Sequence, residues 1–489
     1  MRLVPALALL TLAAAPLLSG CPDRTIAEVN PVQGKAEVKD VPVTLNRDLD
    51  LIFMVDNSNS MEQEQQNLRE NFPKFINVLN SIEGGLPNLH LGVISSDVSA
   101  GEVNSNSCTC GETGGCPRQG GGPAYINYDP DNNGDNGAYV VGNSNVPPSG
   151  HCGINDNANF IEDIAGTGGA RQTNYTGSLS DAFSCAANLQ TGGCGFEQPL
   201  ESLKRALDNQ SGLNTGFLRE NAFLGIVILS DEDDCSASNL DVFDLAEGTL
   251  GPYGSFRCFE YAIECDQSGH VPPAAGTEDT RTNCHPNESS PYFARVQTYI
   301  DEIKSTKADP TSIVVGEIIG VPPENKTATV RRVGTEPNVQ AELGPTCEDP
   351  ATGEAAPGYR LKQFADGFPE RNTVTSICND DLSDALVGIA ELLKLVIGNP
   401  CIIGNLADKD PMADGIQPEC NVSDRRPGVE TQIPQCPTSP GDPSNAPCWY
   451  MKSNPEKCGA YPTQLEVAIE RGGASVPNDT KVHIECVVQ

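Results

Sequence analysis

The chain has 489 residues, 38% of them apolar, and carries 66 Asp and Glu against 31 Lys and Arg for a formal net charge of −35. That length can bury a sizeable core in two or three folded units. The charge argues against nucleic acid or an anionic membrane surface as a partner and favours basic or cation-bridged ones. With 19 cysteines, 5 histidines, 48 Gly and 38 Pro, the composition fits a disulfide-bonded chain with long loops and gives no support to histidine-based catalysis.

At the amino terminus, Met1-Arg2 precedes an apolar stretch from Leu3 to Leu18 that ends in Leu18-Ser19-Gly20-Cys21. This is the layout of a secretory signal peptide with its cleavage site. Small residues directly before a cysteine resemble the bacterial lipobox, which implies cleavage after residue 20 and a lipid on Cys21. The alternative is a soluble secreted protein with Cys21 in a disulfide. On the lipobox reading, residues 1–20 are the signal peptide and 21–42 a tether. The protein is then held to a membrane of the bacterial cell envelope by its lipid, facing the periplasm or the exterior. No later apolar run reaches the roughly 18 residues a membrane helix needs.

Leu49 to Val55 is a run of bulky apolar residues suited to a central parallel strand buried on both faces. It ends in Asp56-Asn57-Ser58-Asn59-Ser60. Ligands of open α/β sheets bind beyond the carboxyl ends of such strands. Carboxylate and hydroxyl oxygens without His or Cys favour Mg²⁺ or Mn²⁺ over zinc or copper, with Ca²⁺ a further candidate. The plainer reading is that these oxygens cap the helix that follows. That helix shows Leu68, Phe72, Phe75, Leu79 and Ile82 at helical spacing, with Pro73 inside it. Leu89 to Ser95 is the next strand, His90 lies at its end, and Asp97 reads as a turn acid.

From Ala100 to Gln190 the regular pattern collapses into Gly-, Asn- and Cys-rich sequence, which must be stapled to be ordered. Cysteines 108, 110, 116, 152, 185 and 194 can do so, and the stretch 98–194 reads as an insertion beside the metal face. Within it, Asp129-x-Asp131-x-Asn133-Gly134 resembles the opening of a calcium loop, but position twelve is Val140, so a hydrated turn is the better reading. Thr191 is the only hydroxyl residue in the loop before a helix read as Glu197 to Leu207. Phe223 to Ser230 is a second buried strand, ending at Asp231-Glu232-Asp233-Asp234, of which Asp233 and Asp234 read as solvated loop acids. Further insertions are read at 235–290 and 321–371. Between and after them come a helix over Tyr292–Ile303, strands over Ser312–Ile319 and Thr373–Ile377, and a helix over Asp384–Ile397.

Strands alternating with helices predict an α/β fold with a doubly wound, mostly parallel sheet over 43–398, in which the first and fourth strands are neighbours. Residues 399–489, Pro-rich with six cysteines and alternating segments such as Leu465–Ile469 and Val482–Val488, read as a small Cys-rich β unit with Trp449 in its core.

Asp56-x-Ser58-x-Ser60 after a buried strand, with Asp231 after a later one, resembles the von Willebrand factor A domain and its metal-ion-dependent adhesion site. The resemblance implies a metal set of Asp56, Ser58, Ser60, Thr191 and Asp231, in which Ser58 and Ser60 bind the ion directly, Thr191 adds a ligand from a second loop, and Asp231 completes the set, usually through water. Glu197 or a water is the substitute should Thr191 not bind. It further implies a protein or cell-surface ligand that presents an acidic side chain to the metal, and therefore a binding protein rather than an enzyme. Two alternatives stand beside it. One is an envelope scaffold whose site no longer holds metal. The other is a metal-dependent phosphohydrolase using Asp56 as nucleophile, against which Ser58 stands where a general acid is needed.

Overall fold

The computed structural model describes residues 35–42, 47–98, 137–141 and 152–488, apart from breaks of six residues or fewer within these ranges. The segment read as a signal peptide, Cys21 and the Asp129–Asn133 stretch lie outside the described residues. The chain divides into two compact units, Val41–Pro400 and a second one formed by Met1–Asp40 with Cys401–Gln489.

The larger unit is mixed α/β, built on a mostly parallel seven-stranded sheet. Its first strand, Asp48–Val55 (β1), pairs in parallel with Asn88–Ser95 (β2) on one side and Phe223–Ser230 (β5) on the other. β5 continues to Ile313–Ile319 (β6) and Asn372–Ser376 (β7), again in parallel. Beyond β2 the sheet turns antiparallel through Ile161–Ala165 (β3) and Arg171–Thr173 (β4). The register sets Val55 opposite Leu229, so Asp56 and Asp231 leave the sheet at the same end.

Helices cover both faces because alternate strand residues are apolar on both sides. Leu49, Leu51, Phe53 and Val55 pack with Glu62–Asn80 (α1) and Ser383–Gly398 (α6). Ile52 and Met54 share the opposite core with Pro199–Asp208 (α3), Val296–Ser305 (α4) and Tyr359–Asp366 (α5). Phe53 is the hub of the first core, with ring centroids 5.9, 5.6 and 4.8 Å from Phe72, Phe75 and Phe183. A Cβ on Gly316 would lie 2.5 Å from the Ile389 side chain, so glycine lets α6 settle onto the sheet.

Two insertions hold more regular structure than their sequence predicts. The first supplies β3, β4 and Leu179–Ala186 (α2), whose start is a capping box between Ser178 and Asp181. It is stapled by Cys152–Cys185. The stretch 321–371 is largely antiparallel: Ala328–Val333 pairs with Gln340–Leu343 and with Asp279–Arg281, and Cys347–Asp349 pairs with Gly353–Ala355. These strands are short and polar, which removes the hydrophobic alternation that would have announced them. Cys235–Cys258, Cys265–Cys284 and Cys347–Cys378 close this part of the unit.

In the smaller unit the segment Lys35–Pro42, read from sequence as part of a tether, is a strand in a four-stranded sheet. It neighbours Lys481–Val488, which pairs with Cys420–Arg426, itself paired with Val429–Ile433. Cys401–Cys458, Cys420–Cys486 and Cys436–Cys448 staple the unit. Trp449 is buried, on the hairpin formed with Leu465–Glu470.

Removing the aromatic hub should be costly: Phe53→Ala is expected to destabilise the larger unit by about 3–5 kcal/mol. Guanidinium unfolding of the oxidised protein reads this directly as a lower midpoint, and a loss below about 1 kcal/mol would show that the three rings close over the gap.

Candidate functional site

Asp56 is fully buried at the carboxyl end of β1. Its backbone N–H still donates to Leu229 O at 2.9 Å, so the end of β1 is clamped to β5. One carboxylate oxygen accepts from Ser58 N at 2.8 Å and Ser96 Oγ at 3.3 Å, and the other from Ser230 Oγ at 2.7 Å. Three strand ends thus hold one carboxylate. The motif does not cap the next helix: α1 starts after Met61 and has no side-chain cap. The plainer reading of Asp56, Ser58 and Ser60 therefore fails.

Ser58 and Ser60 place their hydroxyl oxygens 3.2 Å apart, with Ser58 buried and Ser60 exposed. Adjacent ligands on an octahedral ion with about 2.1 Å bonds lie about 3 Å apart, so this spacing fits neighbouring positions on Mg²⁺. Asp231, only 5% exposed, has an Oδ1 without a hydrogen-bond partner. Burial pushes its carboxyl well above the usual range, reinforced by the charges of Asp56 and Glu232, while the Ser60 hydroxyl opposes the shift. Burial likewise raises Asp56 against its three serine partners.

The loop carrying Thr191 reaches the motif. Gln65 donates through its amide to Asp56 O at 2.8 Å and to Gln190 O at 3.1 Å. Gly193 N donates to Asn57 O at 2.9 Å, and a Cβ on Gly193 would lie 2.2 Å from the Asn57 side chain. Thr191 sits between these two contacts, half-buried.

Three further acids crowd the same end of the sheet. Glu64, on the first turn of α1, is buried with Oε2 unpartnered and is pushed up to about 7, first by burial and then by the charge of Asp56. Glu197 is buried with Oε1 unpartnered. Burial raises its carboxyl well above the usual range, reinforced by the charges of Glu232 and Asp56 and by a side-chain hydrogen bond with Glu232. Glu232 is itself pushed up to about 7 by burial. Sequence reading named Glu197 only as a substitute for Thr191, and missed Glu64 and Glu232. Glu64 had a signal, since it falls on the apolar stripe of Leu68, Phe72 and Phe75, where a first-turn acid would ordinarily face solvent.

Asp233 and Asp234 are not the solvated loop acids expected. Asp233 accepts from Arg360 N at 3.0 Å and Leu361 N at 3.2 Å, at the start of α5. Asp234, buried, pairs with Arg360 at 2.9 Å and accepts from Leu200 N at 3.0 Å, at the start of α3. Both are fixed by helix N-termini, whose free N–H groups recruit carboxylates. Asp97 is buried as well, with its N–H donating to Ser95 Oγ at 3.3 Å.

Among the described residues, Asp56, Glu64, Glu197, Asp231 and Glu232 make no ion pair with Lys or Arg, and no three His, Cys, Asp or Glu side chains are grouped to cage a metal. A cation here must take hydroxyls as well as carboxylates.

No family model matches the sequence, and no curated protein does. Among solved structures the chain is similar to the pilus adhesin RrgA from Streptococcus pneumoniae, with 11% identity and a TM-score of 0.23 over 95% of this chain and 60% of that one. The chain therefore spans less than two thirds of that adhesin, and a likeness at this TM-score carries no argument about fold or function.

An acid raised by folding binds its proton more tightly in the folded state, so it stabilises most below its unfolded pKa and loses that contribution as pH rises through the folded one. For Glu64 the window runs from 4.5 to about 7. Cation-free protein should thus carry a stability loss across this window that Glu64→Gln reduces. Parallel pH–stability curves for the two proteins, from chemical unfolding, would show that Glu64 does not titrate there.

Proposed function

We propose that the larger unit is a von Willebrand A-type adhesion module, doubly wound, that holds Mg²⁺ or Mn²⁺, with Ca²⁺ a further candidate, and through it binds an acidic side chain of a protein or cell-surface ligand. The observation that carries this reading is a set of five buried or crowded carboxylates without a basic partner, three of which keep an unpartnered oxygen. Buried charge is ordinarily paired or bound to metal. Ser58, Ser60 and Asp231 would be the ligands, Thr191 would add one from its loop, and Asp56 would orient the serines from behind. With a single carboxylate bonded directly, the ion stays under-neutralised and gains by taking an anionic oxygen from a partner.

Display of this module on the envelope through a lipid on Cys21 belongs to the same proposal, supported by the Leu18-Ser19-Gly20-Cys21 sequence and by the seven disulfides among the described residues. Pull-down from envelope extracts, with and without chelator, would recover the ligand only when the cation is present.

Thermal melts test the metal directly. At a hundredfold excess over Kd, Mg²⁺ or Mn²⁺ is expected to stabilise the protein by about 2.7 kcal/mol. Equal stabilisation of Ser58→Ala, or none of the parent, would leave the envelope-scaffold reading instead. Asp231→Asn is expected to raise the stability of the cation-free protein by about 1 kcal/mol while removing its response to cation, because residues kept for binding are held at a cost to the fold. An Asp231→Asn protein less stable than the parent without cation would count against a binding role for that carboxylate.

A further inference from the structure

A cavity of about 240 Å³ opens directly beside Ser60 and Asp231. One wall is apolar: Phe256 and Phe259 from the helix Phe256–Ala262, with Leu343 and Pro345. The rim is acidic, with Glu232, Glu342 and Glu354. Its one base, Arg331, lies 2.8 Å from Glu342 and 2.5 Å from Glu354, so its charge is already matched twice over. Those two glutamates are 42% and 49% exposed and remain within reach of a ligand. Asp231 also lines this space, although its unpartnered Oδ1 is itself buried. The two phenylalanine rings already lie against a cation, the Arg281 guanidinium, at 5.5 and 5.4 Å from their centroids.

From this we infer that the cavity receives a lysine or arginine side chain of the same ligand whose acidic side chain meets the cation. The ligand is thus a peptide segment bearing an acid and a base close together. The inference rests on the metal-site reading for the acid, and on the cavity alone for the base. An aliphatic stem lies along Phe256, Phe259 and Leu343, and the charged head reaches Glu342 and Glu354. An anion is disfavoured, because the only arginine is committed and the surrounding carboxylates repel it. Glu342 and Glu354 come from the stretch 321–371 and the phenylalanines from 235–290, so the insertions build the specificity and the strand ends build the metal site.

The test uses the full oxidised protein with Mg²⁺ and acetylated, amidated pentapeptides Ala-Xaa-Asp-Xaa-Ala, where Xaa is lysine, norleucine or glutamate. Calorimetry should show the lysine peptide binding about tenfold more tightly than the norleucine peptide, as two partly exposed charge pairs allow. The double variant Glu342→Gln, Glu354→Gln should bring that ratio close to one without changing the Mg²⁺ shift in melting temperature. Glu354→Gln alone, the milder change, should lower it about threefold. Equal binding of lysine and norleucine peptides, tightest binding of the glutamate peptide, or a ratio that survives both variants would overturn the inference. So would failure of every peptide to bind a protein that Mg²⁺ stabilises. Absence of Mg²⁺ stabilisation overturns the metal reading instead. A lysine preference that still disappears in the variants would then keep the cavity assignment.

Discussion

The parallel pairing of Asp48–Val55 with Phe223–Ser230 is the constraint on which the rest depends. It brings Asp56 and Asp231 to one end of the sheet from positions far apart in the chain. The hydrogen bond from Asp56 N to Leu229 O fixes that end, and Ser230 then reaches the Asp56 carboxylate from the neighbouring strand. Because both strands are buried on both faces, their register cannot slip without moving side chains to the wrong core. The geometry of the site is therefore inherited from the packing of the sheet.

The same strand holds two buried acids, and their treatment differs. Asp50, near its start, is paired with Arg219 at 2.8 Å and Lys307 at 3.1 Å, and its charge is balanced inside the protein. Asp56, at its end, has only serine and backbone donors, and the acids gathered around it have no basic partner among the described residues. A fold selected for stability alone would treat both ends alike. Leaving one end unbalanced costs stability in the cation-free protein, which is the expected signature of a place kept for a charged ligand.

The Asp231–Asp234 run shows how one stretch of like charges divides its work. Asp231 lies at the site, Glu232 meets the Glu197 carboxyl, Asp233 meets the start of α5 and Asp234 the start of α3. The last two tie helices on the far face of the sheet to the loop that carries the first two. The site is thus supported by rigid elements, and the insertions that rim the adjacent cavity can vary without disturbing it.

Local sequence determined a good deal. Unbroken apolar runs and helical spacing are encoded within a few residues, and they marked β1, β2, β5, β6 and the helices α1, α3, α4 and α6, but not α5, which lies in the stretch 321–371 read as an insertion. They also marked the acids and hydroxyls at Asp56, Ser58, Ser60 and Asp231. Only tertiary structure decided what those residues meet. Glu64 and Glu232 joined the site, Asp233 and Asp234 left the solvent for helix starts, and Lys35–Pro42 became a strand rather than tether. The short strands of the insertions were equally invisible, since each is only three to six residues long and carries too few apolar positions to set a period, and some of their partners lie far away in the chain. Periodicity is a local property, whereas burial of a charge and pairing of an edge strand depend on what the rest of the chain brings alongside.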